Sequence, residues 1–202
     1  MVHFGKMSYS YPMRLFLYVI IFILGSASYV VGIREMFLGK YRPSTFSRVV
    51  WALIAVNNFA GVVLSHAGAS AVVLGGIFLA GNIAICLVSF WKGTRTVGRL
   101  ELLCLTLLLL SGLVWVFYRA PLVNLGISLF AHFIGGLPTY KRIWRHPKSE
   151  SAGFWGFFFF ASLLSVFATE TLSFATLVFP VYFALFDGSM FFLSLRKERR
   201  AV

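Results

Sequence analysis

Asp187 is the residue whose type and position most invite chemistry. It lies in Phe186-Asp187-Gly188, deep inside an apolar stretch. An ionised carboxylate is costly in hydrocarbon, so an acid placed there faces a cavity or a partner and tends to carry function. A neutral carboxyl in such a place can take up and return a proton. A structural alternative is that Asp187 caps a helix break at Gly188. Asn82 occupies the matching place 105 residues earlier. A single asparagine can hold a solute or simply bond a neighbouring helix, for about 1 kcal/mol. His132 falls in the middle of another apolar stretch, changes charge near neutral pH and could relay protons with Asp187. Asn57 and Asn58 are adjacent, so they point about 100° apart on a helix. That geometry offers one solute contact and one helix–helix bond.

Other chemistries lack their residues. The His, Cys and acidic positions show no zinc spacing, no glycine loop is built to cradle phosphate, and there is no HExxH motif, aspartate dyad or Ser–His arrangement. Cys86 and Cys104 read as packing residues in apolar segments. These patterns imply no metal, no cofactor and no enzyme activity.

The elements that must position the polar residues are apolar helices. Hydrophobic residues make up 59% of the 202 and charged residues 12%, far from a soluble domain's balance. Seven segments approach the roughly 20 apolar residues needed to cross a bilayer. They are 15–35, 49–66, 70–91, 101–118, 121–140, 152–169 and 172–195. The net charge of +12 sorts by side rather than forming a nucleic-acid surface. With seven spans, fifteen of the 18 lysines and arginines fall on one side: Arg34, Lys40, Arg42 and Arg48, then Lys92, Arg95 and Arg99, then Lys141, Arg142, Arg145 and Lys148, then Arg196, Lys197, Arg199 and Arg200. Lys6, Arg14 and Arg119 take the other. The positive-inside bias puts the C-terminus in the cytoplasm and the N-terminus outside the cell membrane. The bilayer is the partner this implies, with some affinity for anionic lipid and none for nucleic acid.

A faint internal echo organises the spans. Gly32, Pro43, Ser47 and Trp51 recur 104 residues later as Gly136, Pro147, Ser151 and Trp155. Asn82, Ser89 and Lys92 recur 105 residues later as Asp187, Ser194 and Lys197. The expectation is an all-helical membrane domain of seven spans in a 3+1+3 layout. Residues 15–91 and 121–195 form parallel three-helix repeats, and 101–118 is an unmatched linker. The working site then lies between the repeats. His66 and Glu170 match in register at the outer ends of the second and sixth spans and could form an outer gate, although solvated helix ends explain them equally. Gly136, Pro138 and Pro180 are candidate hinges, as are Gly32, Pro43 and Pro147. Trp51 and Trp155 could stack on a solute ring, but their nearness to basic loops favours an anchoring role at the headgroups.

This layout, with Gly136-Leu137-Pro138-Thr139-Tyr140-Lys141 and Pro147-Lys148-Ser149-Glu150, resembles the SWEET/PQ-loop superfamily of seven-helix carriers. Pro138 matches that family's proline, Thr139 stands where its glutamine would be, and Arg34 and Glu35 occupy the equivalent positions of the first half. The resemblance implies a carrier of a sugar, amino acid or similar metabolite. Asn82 and Asp187 correspond by register to its facing asparagines. A carboxylate in place of the second asparagine leaves room for a cationic substrate or a proton. The alternative is a non-transporting seven-helix receptor, scaffold or sorting component. Homo-oligomers fit a chain without soluble domains.

Overall fold

The computed structural model describes residues 4–6, 10–95, 97 and 99–197. Arg199 and Arg200, counted above with the basic residues of one side, lie outside the described residues. Among those described there are seven α-helices: α1 Tyr11–Phe37, α2 Thr45–Leu64, α3 Ala69–Lys92, α4 Arg99–Tyr118, α5 Pro121–Arg145, α6 Ala152–Phe167 and α7 Phe174–Ser194. Two short strands, β1 Phe4–Lys6 and β2 Thr171–Leu172, pair antiparallel.

Local chemistry sets many of the helix starts. Ser44 and Ser151 accept the backbone N–H of Ser47 and Phe154, capping α2 and α6. Ser173 and Thr176 form a reciprocal capping box on α7. Proline sits in the first turn of α1 and of α5, where no N–H is needed. Pro138 and Pro180 lie inside α5 and α7, and both helices continue past them. In hydrocarbon a helix satisfies its own backbone, so apolar side chains on every face are tolerated.

Five helices (α1, α2, α3, α5 and α7) are long and apolar enough to cross a membrane and mark the chain as membrane-embedded. The remaining two, expected from sequence to span, are shorter: the apolar part of α4 is Leu102–Tyr118, and α6 has 16 residues. At 1.5 Å per residue α6 covers about 24 Å, against a hydrocarbon thickness of about 30 Å.

The helices pack as a closed circuit. α3 lies between α1 and α2, and α7 between α5 and α6; α1 then meets α6, and α2 meets α5. α4 lies outside, against α5 and α2. One end, termed the basic end, carries the α1–α2 and α5–α6 connections with the C-termini of α3 and α7. There Ser44 bridges to Thr94, and Arg196 donates to the Trp144 carbonyl at 2.8 Å. The opposite, strand-paired end carries β1 and β2.

Glycines seat aromatic rings where helices approach closely. A Cβ on Gly188 would lie 2.8 Å from the Phe159 ring, and one on Gly156 would lie 2.8 Å from the Phe191 ring, so both faces of the α6–α7 contact depend on a missing side chain. Gly156→Ala or Gly188→Ala is therefore expected to destabilise by about 1–3 kcal/mol through overpacking. Gly112→Ala on α4, which meets nothing within 4 Å, should leave the melting temperature unchanged or higher. Thermal unfolding in detergent checks the contrast.

Candidate functional site

Six helices each turn one face to a single enclosed cavity at the centre of the circuit. α1 supplies Tyr29; α2 supplies Arg48 and Trp51; α3 supplies Phe78 and Asn82. α5 supplies His132, α6 supplies Phe154, Trp155 and Phe158, and α7 supplies Phe183 and Asp187. Spacings of three and four place each helix's contributors one above the other on one face. The cavity measures about 20 Å³, room for about one water molecule. Three register-matched pairs meet in it: Trp51 with Trp155, Phe78 with Phe183, and Asn82 with Asp187.

The polar groups are held unequally. Asn82 Nδ2 donates to the Tyr29 hydroxyl at 3.0 Å and to the Phe78 carbonyl at 2.8 Å. His132 Nδ1 shares a 2.8 Å hydrogen bond with the Tyr182 hydroxyl, and its ring lies 4.4 Å from that of Trp51. Arg48 stacks over Tyr41 and Trp51, 5.2 and 5.3 Å from their ring centroids. Asp187 Oδ2, His132 Nε2 and Arg48 Nε are among the buried atoms around this space that have no hydrogen-bond partner. An acid, an amide, an imidazole and a guanidinium walled by aromatic rings can hold a small polar or cationic solute.

An ion pair lies at each end of the bundle. At the basic end Arg142 lies 3.6 Å from Glu150, whose side chain is 7% exposed, and Arg48 and Glu35 lie within electrostatic reach of the same carboxylate. The α1–α2 connection is strapped to the end of α3: Thr94 N donates to the Pro43 carbonyl at 2.9 Å, and Thr45 N to the Thr94 carbonyl at 2.8 Å. At the strand-paired end Arg14 on α1 bridges Glu170 at 2.9 Å, and Tyr18 donates to the same carboxylate at 3.4 Å.

The expected outer pair of His66 and Glu170 is not formed. His66 is exposed in the α2–α3 turn with a φ of 53°, whereas α6 packs against α1 and so delivers Glu170 to Arg14. Asn82, Asp187 and His132 are brought together. Asn57 is not with them: it donates to Ser111 at 2.7 Å and to Asn124 at 3.3 Å, tying α2 to α4 and α5. Asn58 is fully buried and does not line the cavity. Gly136 sits beneath the Phe186 ring and Gly32 beneath that of Phe154, so both are ring seats. Trp51 and Trp155, read above as anchors, face the cavity, because α2 and α6 turn their matched faces inward. Arg48 had been read only as a topology charge. Its position one turn before Trp51 was the available signal.

No protein-family model, no curated protein and no solved structure matches the chain.

Glu150 gives the basic end a pH dependence. Burial pushes its carboxyl above the usual range, against the pull of Arg142 and Arg48. The stability carried by its neutral form is complete below the unfolded-state value, about 4.3, and is lost as pH rises towards the folded value. Glu150→Gln should therefore melt higher than the parent at neutral pH, and the gap should close near pH 4. Melting curves across pH test the sign, with a lower-melting variant at neutral pH refuting it.

Proposed function

We propose that the chain is a small-solute carrier of SWEET/PQ-loop type working by alternating access. In this reading all seven helices span, α1–α3 and α5–α7 are parallel repeats, and α4 links them. The N-terminus is outside and the C-terminus cytoplasmic. One observation carries the proposal: residues matched 104 or 105 apart converge in pairs on one buried polar cavity. A site made equally by two halves can open to either side when one half rocks against the other.

Asn82 and Asp187 would hold a solute's hydroxyls or amine, and Trp51 and Trp155 would flank its apolar face. Arg142–Glu150 and Arg14–Glu170 would act as the two closures. The favoured substrates are sugars, amino acids and similar metabolites, with Asp187 and His132 available for proton coupling. The small volume of the cavity is the observation that favours the alternative, a receptor or scaffold that transports nothing.

Thermal stability of the purified protein against sugars, amino acids and organic cations tests the site. A ligand at about 100 times its dissociation constant adds about 2.7 kcal/mol of stability. That shift should disappear in the Asn82→Ala/Asp187→Asn double variant. Proteoliposome uptake of the same compound should follow. Stabilisation without uptake would establish the non-transporting reading. If Asp187 couples protons, Asp187→Asn should flatten the pH dependence of uptake between about pH 5 and about pH 8.

A further inference from the structure

Buried polar groups without partners continue beyond the cavity along the seam between α2 and α5. Asn124, Ser128 and His132 stand four residues apart on one face of α5, each step rising about 6 Å from the strand-paired end towards the cavity. Across the seam, α2 runs antiparallel. The register that seats Leu125 3.0 Å from the Cβ position of Gly61, and Trp51 3.2 Å from that of Gly135, brings Asn58 opposite Ser128. Both are wholly buried. Neither the amide nitrogen nor the amide oxygen of Asn58 has a partner, nor does the Ser128 hydroxyl, nor His132 Nε2 one turn further in. At the next level outward, Asn57, Ser111 and Asn124 form a hydrogen-bonded knot between α2, α4 and α5.

A buried amide without partners costs several kcal/mol, and the usual remedy is bridging water. The repeat-matched seam between α1 and α6 is different. The serines matching His132 and Asn58 are satisfied by backbone: Ser28 donates to the Phe154 carbonyl at 2.6 Å and Ser162 to the Phe158 carbonyl at 2.8 Å, although Ser165, one turn further along α6, has an unpartnered hydroxyl. Packing two helices together therefore does not require a polar seam. The α2–α5 seam carries one for another reason.

We infer that the α2–α5 seam is a hydrated proton path joining the central acid to the strand-paired end. The Asn57–Ser111–Asn124 knot forms its mouth, Asn58 and Ser128 hold its middle waters, and His132 Nε2 holds the last water before Asp187. A proton from bulk water enters at the mouth, each water passes one on, and Asp187 Oδ2 receives the last. The carboxylate becomes a carboxylic acid, and the water chain is left as it began. Asn58 and Ser128 do not titrate; they are positioning residues. The other titratable or charged groups facing Asp187 and His132 are Tyr29 from α1, Arg48 from α2, Tyr140 from α5 and Tyr182 from α7. None is a carboxylate, which leaves Asp187 as the acceptor. The inference deepens the carrier reading and rests on it for its coupling role.

Two measurements test it. In a Cys86→Ala/Cys104→Ala background, the thiol introduced by Ser128→Cys should react with N-ethylmaleimide about tenfold faster than that of Leu129→Cys, since alkylation needs a hydrated thiolate. Adding Asn58→Leu should remove the difference. Both proteins must first show the parent's melting temperature. Equal rates at 128 and 129 overturn the inference. In proteoliposomes loaded with the solute found by stability screening, Asn58→Leu and Ser128→Val should lower pH-gradient-driven uptake about tenfold, while gradient-free counterflow stays within about threefold. Equal loss of both would make these residues solute contacts or structural supports and overturn the proton path. If the parent shows no counterflow with any solute, the carrier reading fails, and the labelling comparison still decides whether the seam holds water.

Discussion

The structure is governed by the cost of placing polar groups where no water reaches them. Helices settle the backbone's share of that cost within each segment. Side chains find part of a remedy on the backbone a turn earlier, as Ser162 and Asn82 do, but remaining polar atoms in an apolar helix need a partner on another helix. That need explains why Asn57, Ser111 and Asn124 sit in one knot, and why Asn82 reaches the Tyr29 hydroxyl. Among the groups left unpaired, Asp187 Oδ2, His132 Nε2 and the Asn58 amide lie in the central cavity and the seam beside it. In the carrier proposed for this chain, solute and water would be the missing partners.

Apolar packing supplies the frame around these groups. Rings from one helix drop into glycine gaps of the next: Phe159 on Gly188, Phe191 on Gly156 and Phe154 on Gly32. Such seats hold α1, α6 and α7 at close approach, because any added side chain would have to displace a ring. Polar closures complete the frame at the ends. Each is an exposed or half-exposed basic side chain on a carboxylate, Arg14 on Glu170 and Arg142 on Glu150. The Arg14–Glu170 pair is exposed enough to be weak and exchanged at modest cost, whereas Glu150 is a buried carboxylate.

Much of the plan was legible in the chain. Apolar run length located all seven helices to within a few residues, because burial in hydrocarbon demands near-continuous apolar sequence. The deepest polar residues, Asn82, His132 and Asp187, stood out for the same reason, and they do share one cavity. Helix ends were read less well: α5 runs five residues past its expected limit of 140, since neither Pro138 nor the basic residues after it stop a helix that packs on α7 and α2. The roles of His66, Trp51 and Trp155 were also misjudged. Each depends on which way a helix is rotated and which helix lies beside it, and neither is encoded in a window of local sequence.

The sequence by itself determined that the protein is helical and membrane-embedded, and which few residues are out of place in an apolar setting. Hydropathy and residue type are local properties, and they suffice for that. Only the tertiary structure decided how those residues are partnered. It divided the neighbours Asn57 and Asn58 between a knot and an unpaired site, and it gave Glu170 to Arg14. It also turned Trp51, Trp155 and Arg48 inward and left Asn58 and Ser128 unpaired between α2 and α5. These outcomes follow from helix rotation and adjacency, set by the packing of rings against glycines between residues from about thirty to more than a hundred and twenty positions apart.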